Sequence, residues 1–148
     1  MSQMHCIVVT PDEVVLEEPV EFVVLTLYDG EIGIAPGRTP LIGRLGSGEM
    51  RIYHEGKVSY FYIDGGFVEV LDETVTVLTH QAIPGEKLDA FVLQTKLDGA
   101  LSRPAATLEQ RALRDAAVAE YRAKLRVAHR TEFSPEDSDE IDDSGSDS

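Results

Sequence analysis

One cysteine, only 13 basic residues against 27 acidic, and no apolar run near the roughly 18 residues of a membrane span are what this 148-residue chain has little of. Each shortage excludes something. A formal charge of −14 is repelled by DNA, RNA and anionic lipid, so neither nucleic-acid binding nor direct membrane insertion is expected. The lone Cys6, in the apolar run Cys6-Ile-Val-Val, cannot close an internal disulfide. It reads as a buried structural thiol in a reducing compartment, without a cationic sequence neighbour to activate it. The amino terminus has neither a charged n-region nor a long apolar h-region, so no secretory signal is expected.

Motifs for chemistry are equally scarce. There is no Walker pattern: Gly43-Arg-Leu-Gly46-Ser-Gly48 has neither the lysine nor a following helix, and reads as a loop between strands. His5, His54, His80 and His129 are scattered singly, with no ligand-spaced partner, so no metal is expected. No Gly-x-Ser-x-Gly elbow supports a nucleophilic serine. The expectation is a non-catalytic protein without a cofactor, whose surfaces do the work.

What is present divides the chain in three. Residues 1–86 carry 14 acids and 4 bases, residues 87–130 carry 5 acids and 9 bases, and residues 131–148 carry 8 acids and no base. The net charges are −10, +4 and −8, a pattern in which a basic middle meets an acidic surface of its own or of a partner. Forty-three per cent apolar residues suffice for a core in the first two segments.

Up to about Ala82, short apolar runs are broken by turn residues, which predicts strands at 6–10, 14–17, 20–27, 31–35, 41–45, 49–54, 58–64, 67–71 and 74–79. Asp29-Gly30 and Glu55-Gly56 supply positive φ for tight hairpins. The run Val-Ser-Tyr-Phe-Tyr-Ile at 58–63 is apolar at consecutive positions, so both faces of that strand need cover. After Ile83-Pro84-Gly85, Leu88, Phe91, Val92 and Thr95 take up helical spacing, with Leu93, Leu97, Ala100 and Leu101 as a second stripe. Ser102-Arg103-Pro104 interrupts this helix, and Thr107 with Gln110 has capping-box spacing for a second. Leu113, Ala117, Tyr121, Leu125 and Ala128 form its expected seam. Its many alanines bury little area each, so the hairpin is expected to be held weakly and to be able to detach. Past Phe133 the only apolar side chain is Ile141, too little to offset ordering entropy.

The expected architecture is therefore an α+β chain: an all-β sandwich or flattened barrel over 1–84, an antiparallel two-helix hairpin over 85–130, and a disordered acidic tail over 131–148.

Three segments carry a resemblance. Gly30-Glu31-Ile32-Gly33-Ile34-Ala35-Pro36-Gly37-Arg38-Thr39-Pro40-Leu41, then Tyr62-Ile63-Asp64-Gly65-Gly66-Phe67-Val68-Glu69-Val70 and Val75-Thr-Val-Leu78, resemble the F-type ATP synthase epsilon subunit. The chain departs from the family pattern at Arg38, where a histidine is usual, at Ile32, where a leucine is usual, and in its acidic tail. The resemblance implies a non-catalytic rotor subunit of the central stalk, peripheral on the cytoplasmic face of the bacterial inner membrane. Its sandwich would dock on the gamma subunit and the c-ring, and so couple proton-driven rotation to the catalytic head. Glu31, Gly33, Pro36, Gly37, Arg38 and Pro40 fall in the family's c-ring and gamma loop, with Arg38 placing a fixed positive charge where the family has a titratable ring. The resemblance also implies a hairpin that extends toward the beta and alpha subunits. There Arg111, Arg114, Arg122, Lys124 and Arg126 of the second helix would meet an acidic segment and block hydrolysis. The rival reading is a free-standing sandwich module with an appended hairpin that recognises a protein or small ligand.

Some relatives bind ATP through (Ile/Leu)-Asp-x-x-Arg-Ala at the start of the first helix. Leu88 and Asp89 match, but the arginine position is Val92 and the alanine position Leu93, so the charge-assisted contact to the nucleotide is missing. Titration calorimetry is expected to detect no ATP binding at micromolar concentrations, and a micromolar affinity would contradict this reading.

Overall fold

The computed structural model describes residues 3–132. Eight strands come first: β1 Met4–Val9, β2 Val14–Val20, β3 Phe22–Leu27, β4 Gly30–Ile34, β5 Leu41–His54, β6 Lys57–Leu71, β7 Thr74–Leu78 and β8 Ala82–Pro84. A 3₁₀ turn, Gly85–Lys87, leads into α1, Ala90–Leu101, and α2, Leu108–Glu132. The strands form one sheet in the order β2-β1-β7-β6-β5-β3-β4, with β8 on β6. All neighbours are antiparallel except β1 and β7, which are parallel. The sheet closes over itself as a sandwich: Cys6, Val8, Val75 and Val77 from one layer meet Val23, Leu25, Met50 and Ile52 from the other in one buried cluster. Pro19 falls on β2, an edge strand bonded to β1 alone, where its missing N–H is tolerated.

The long β5–β6 hairpin spans both layers. Its register runs from Leu41 opposite Val70 to His54 opposite Lys57, and Glu55 (φ 52°) and Gly56 (φ 77°) turn it with the two positive φ values of a type I′ hairpin. Four of the expected short strands are thus two long ones. The glycines that suggested a break are instead where the hairpin lets other backbone in. Gly43-Arg-Leu-Gly46-Ser-Gly48 lies inside β5 and is no loop. A Cβ on Gly46 would come 2.9 Å from the Leu27 carbonyl oxygen, so its absence admits β3, whose register shifts between Val24 and Leu27. Gly66 takes φ 107°, and a Cβ there would overlap the Leu78 carbonyl of β7.

Other expectations differ in detail. Strand β8 was not anticipated, being three residues with no periodicity of their own. In the β3–β4 turn Gly30 alone has positive φ, 154°; Asp29 does not. The β6–β7 turn uses two acidic residues at positive φ, Asp72 (51°) and Glu73 (61°). Thr131 and Glu132 belong to α2; the rest of the expected tail lies outside the described residues.

Both helix starts follow from their caps. Asp89 accepts the Val92 N–H at 3.1 Å, and the capping box closes reciprocally, Gln110 N–H to Thr107 Oγ1 at 3.1 Å and Thr107 N–H to Gln110 Oε1 at 3.3 Å. The second stripe of α1 is the buried one: Leu93, Leu97 and Ala100 pack on Val118, Leu125 and Ala128, while Phe91 stays exposed. Leu113, expected in the seam, is also exposed. Twelve residues of α1 span about 18 Å and match only Ala117 to Ala128 of α2, so the earlier turns overhang.

Gly66→Ala should destabilise the fold by at least about 2 kcal/mol, through a positive-φ residue forced against backbone that cannot yield. Chemical denaturation measures this, and an unchanged midpoint would contradict the close approach.

Candidate functional site

The second helix lies on the outer face of β6. Tyr60 and Tyr62, two apart on the strand and so on one side of it, are covered by Ala123 and Val127, with Ile83 and Leu88 at the margin. Gly85 lets the chain pass beneath Thr131, where a Cβ would overlap the threonine side chain. Burial, with Asp64 and Glu120 nearby, pushes the Tyr62 hydroxyl up to about 12. Lys124 stands 5.3 Å over the Tyr62 ring and Arg130 5.3 Å over the Tyr60 ring.

Beside this contact, a cleft of about 560 Å³ opens between α2 and the sandwich, walled by Glu31, Glu49, Arg51, Arg126, His129 and Arg130. Its charges interlock. Arg51 donates to Glu49 at 2.7 Å and sits 3.9 Å from Glu31, and Arg130 sits 3.7 Å from the other oxygen of Glu49. Burial alone would lower the Arg51 guanidinium, but hydrogen bonds to Glu49 and Tyr53 hold it above its ordinary range. Glu49 therefore joins the sandwich to the end of α2.

The expected loop residues do not converge. Glu31 lies at the start of β4 opposite Thr26, beside the cleft. Pro36, Gly37, Arg38 and Pro40 follow the other end of that strand. There Gly37 (φ 86°) donates its N–H to the Glu73 carboxylate at 2.8 Å, which ties the loop to the β6–β7 turn. Gly33 pairs with Val24 between the two, under the Phe22 ring. Arg38 and Pro40 are exposed.

The helix cations also separate. Lys124 is largely covered, its side chain 11% exposed and paired with Glu120 at 2.6 Å. Arg111 donates to the Ala105 carbonyl at 3.1 Å, and Arg114 reaches Asp115 at 3.4 Å. Arg122 and Arg126 are exposed, four residues apart on one face, and have no ion-pair partner among the described residues. Asp89 is occupied as the α1 cap, with Val92 beside it partly exposed.

An apolar face escaped the reading of the sequence. Phe67 and Leu71 point outward from β6, Leu78 lies opposite Phe67, and Ile42 lies opposite Glu69 between them. These four are 45 to 76% exposed. Two shallow grooves flank them, one under Pro11 and His80, the other between Pro40 and Leu71. A signal existed in the alternation Phe67-Val68-Glu69-Val70-Leu71, whose inward set is Val68 and Val70. The outward phenylalanine and leucine are then unpartnered.

Comparison with known proteins follows this division. Residues 3–85 match the family described as ATP synthase, Delta/Epsilon chain, beta-sandwich domain. An ATP synthase epsilon chain of Rhodopirellula baltica is 42% identical over 125 residues, covering 84% of this chain and 98% of the relative. Among solved structures, a chain of the Euglena gracilis mitochondrial ATP synthase OSCP/F1/c-ring assembly superimposes with a TM-score of 0.76 at 26% identity, over 83% of this chain and 79% of that one. A chain of the Tetrahymena thermophila mitochondrial ATP synthase central stalk/c-ring shares the fold, with a TM-score of 0.63 at 13% identity, over 86% and 97%. The match to the relative from Rhodopirellula baltica, at 125 residues, is longer than the sandwich, and this chain belongs to the ATP synthase epsilon chain family.

Proposed function

We propose that this chain is a non-catalytic rotor subunit in the central stalk of a proton-translocating F-type ATP synthase. The observation that carries the reading is the pair of unlike surfaces on one sandwich. The apolar face of Ile42, Phe67, Leu71 and Leu78 is exposed among the described residues, as a protein-docking patch is, whereas the other outward apolar site on β6 is already occupied by α2. The free patch adjoins the loop of Pro36 to Pro40, and together they form the surface for the gamma subunit. Glu31 and the neighbouring β3–β4 turn face the polar loops of the c-ring. Held this way, the chain is peripheral on the cytoplasmic face of the bacterial inner membrane; no helix among the described residues is long and apolar enough to cross it.

The hairpin is the regulatory part. On the helix side its contact with the sandwich is made by Ala123 and Val127, and an alanine methyl contributes about 0.8 kcal/mol where a buried leucine contributes roughly 1.5 to 3. The Arg130–Glu49 pair, half exposed on the arginine side, adds at most about 1 kcal/mol. Two arrangements separated by a few kcal/mol make a switch. In the released one, Arg111, Arg114, Arg122 and Arg126 would meet acidic surface of the beta and alpha subunits and slow hydrolysis.

Removing residues 88–148 should raise ATP hydrolysis by the assembled complex several-fold; an unchanged rate, with the shortened chain still in the complex, refutes the inhibitory role. Placing glutamate at both Phe67 and Leu78 should reduce co-purification with the gamma subunit more than about tenfold, as expected for charges set into an apolar contact. Full retention would move the gamma surface elsewhere.

A further inference from the structure

We propose that the acidic carboxy-terminal segment, residues 133–148, binds the arginine face of α2 of the same chain. It would act as an internal competitor for any acidic partner of that face.

The face comes from the described helix. Arg122 and Arg126 are exposed and lack an acidic partner among the described residues, although neighbouring cations on the helix have one: Arg114 has Asp115, Lys124 has Glu120, Arg130 has Glu49. Arg111 precedes Arg122 by eleven residues, close to three helical turns, so it prolongs the same stripe, and its Nε is turned back to the Ala105 carbonyl. His129, on the stripe at the other end, stands 3.8 Å from Glu132.

The occupant is set by charge and reach. Residues 133–148 contain seven acids, Glu136, Asp137, Asp139, Glu140, Asp142, Asp143 and Asp147, and no base. Sixteen residues span up to about 50 Å when extended, while the 25 residues of α2 measure about 37 Å. A segment attached at Glu132 can therefore run back along the whole stripe. Being covalently attached, it acts at a high effective concentration, so weak carboxylate–guanidinium pairs suffice. The carboxylates of the first 86 residues are a poorer choice of occupant. Of the acids next to α2, Glu49 and Glu31 are engaged with Arg51 and Arg130, and Asp64, which shares a cleft with Arg126, accepts from Ser47 at 2.9 Å and makes no ion pair with that arginine.

The test uses the full chain, labelled with ¹⁵N, and reads the Nε–Hε resonances of Arg111, Arg122 and Arg126. The comparison variant carries amides at all seven acids (Glu136→Gln, Asp137→Asn, Asp139→Asn, Glu140→Gln, Asp142→Asn, Asp143→Asn and Asp147→Asn), and the described residues are unchanged. At about 0.01 M salt, the arginine resonances of the two proteins should differ, and the difference should vanish near 1 M salt as the screening length falls from about 30 to 3 Å. The double variant Arg122→Gln, Arg126→Gln should shift the amide resonances of residues 136–143 toward their high-salt positions. Identical arginine resonances in the two proteins at low salt would overturn the proposal. So would a difference lost on dilution, which would assign the acidic segment to a second copy.

Discussion

Strand β6 carries apolar side chains on both faces between Tyr60 and Ile63, and each face has to be kept from water. Phe61 and Ile63 enter the sandwich core; Tyr60 and Tyr62 face the other way and cannot be covered by any strand of the sheet. The covering element must come from outside the sandwich, and α2 supplies it with small residues, Ala123 and Val127, that let a helix approach two tyrosine rings closely. The position of the hairpin, the cleft beside it and the pairing of Glu49 with Arg130 all follow from this requirement. Without the tyrosines, the helices would have an apolar seam between themselves and no reason to rest on the sheet.

The helices are held by two contacts of different make-up. The seam between α1 and α2 holds Leu93, Leu97 and Leu125, so the helices stay paired with each other. Their joint contact with the sandwich buries Tyr60 and Tyr62 under Ala123 and Val127, with Ile83 and Leu88 at the margin, two cation–π contacts and an ion pair open to solvent. The two contacts thus differ in chemistry: leucines between the helices, tyrosine rings under small residues and cations between helix and sheet. The charge segregation serves this arrangement: acids on the sandwich and bases on the helix attract over the cleft, but in a manner that salt and competing carboxylates can weaken.

At the far side of the sandwich the sheet keeps Ile42, Phe67, Leu71 and Leu78 uncovered. This face and the α2 face belong to the same two long strands. Those strands pass through both layers because glycines at 46 and 66 leave room for crossing backbone, and Gly48 for the Thr26 side chain. One bent hairpin therefore carries an apolar face that is exposed among the described residues and another that the helices occupy.

Much of this was legible in the residues. Turn chemistry placed the Glu55-Gly56 hairpin, Thr107 and Gln110 placed the start of α2, the Gly-Gly and Pro-Gly segments carried the family resemblance, and consecutive apolar positions at 58–63 announced a strand needing cover on both sides. Local interactions decide such features, and local interactions are written in adjacent residues. Tertiary structure decided the rest. It joined 41–45 to 49–54, because a glycine-rich stretch becomes strand once another strand packs into the space its missing side chains leave. It turned Leu93 rather than Phe91 inward and left Leu113 overhanging, because periodicity says which residues share a face but not which face finds a partner, nor where a shorter helix ends. It also set Glu31 and the Pro36–Pro40 loop at opposite ends of β4, since neighbours in a motif are separated in space by the length of the strand between them.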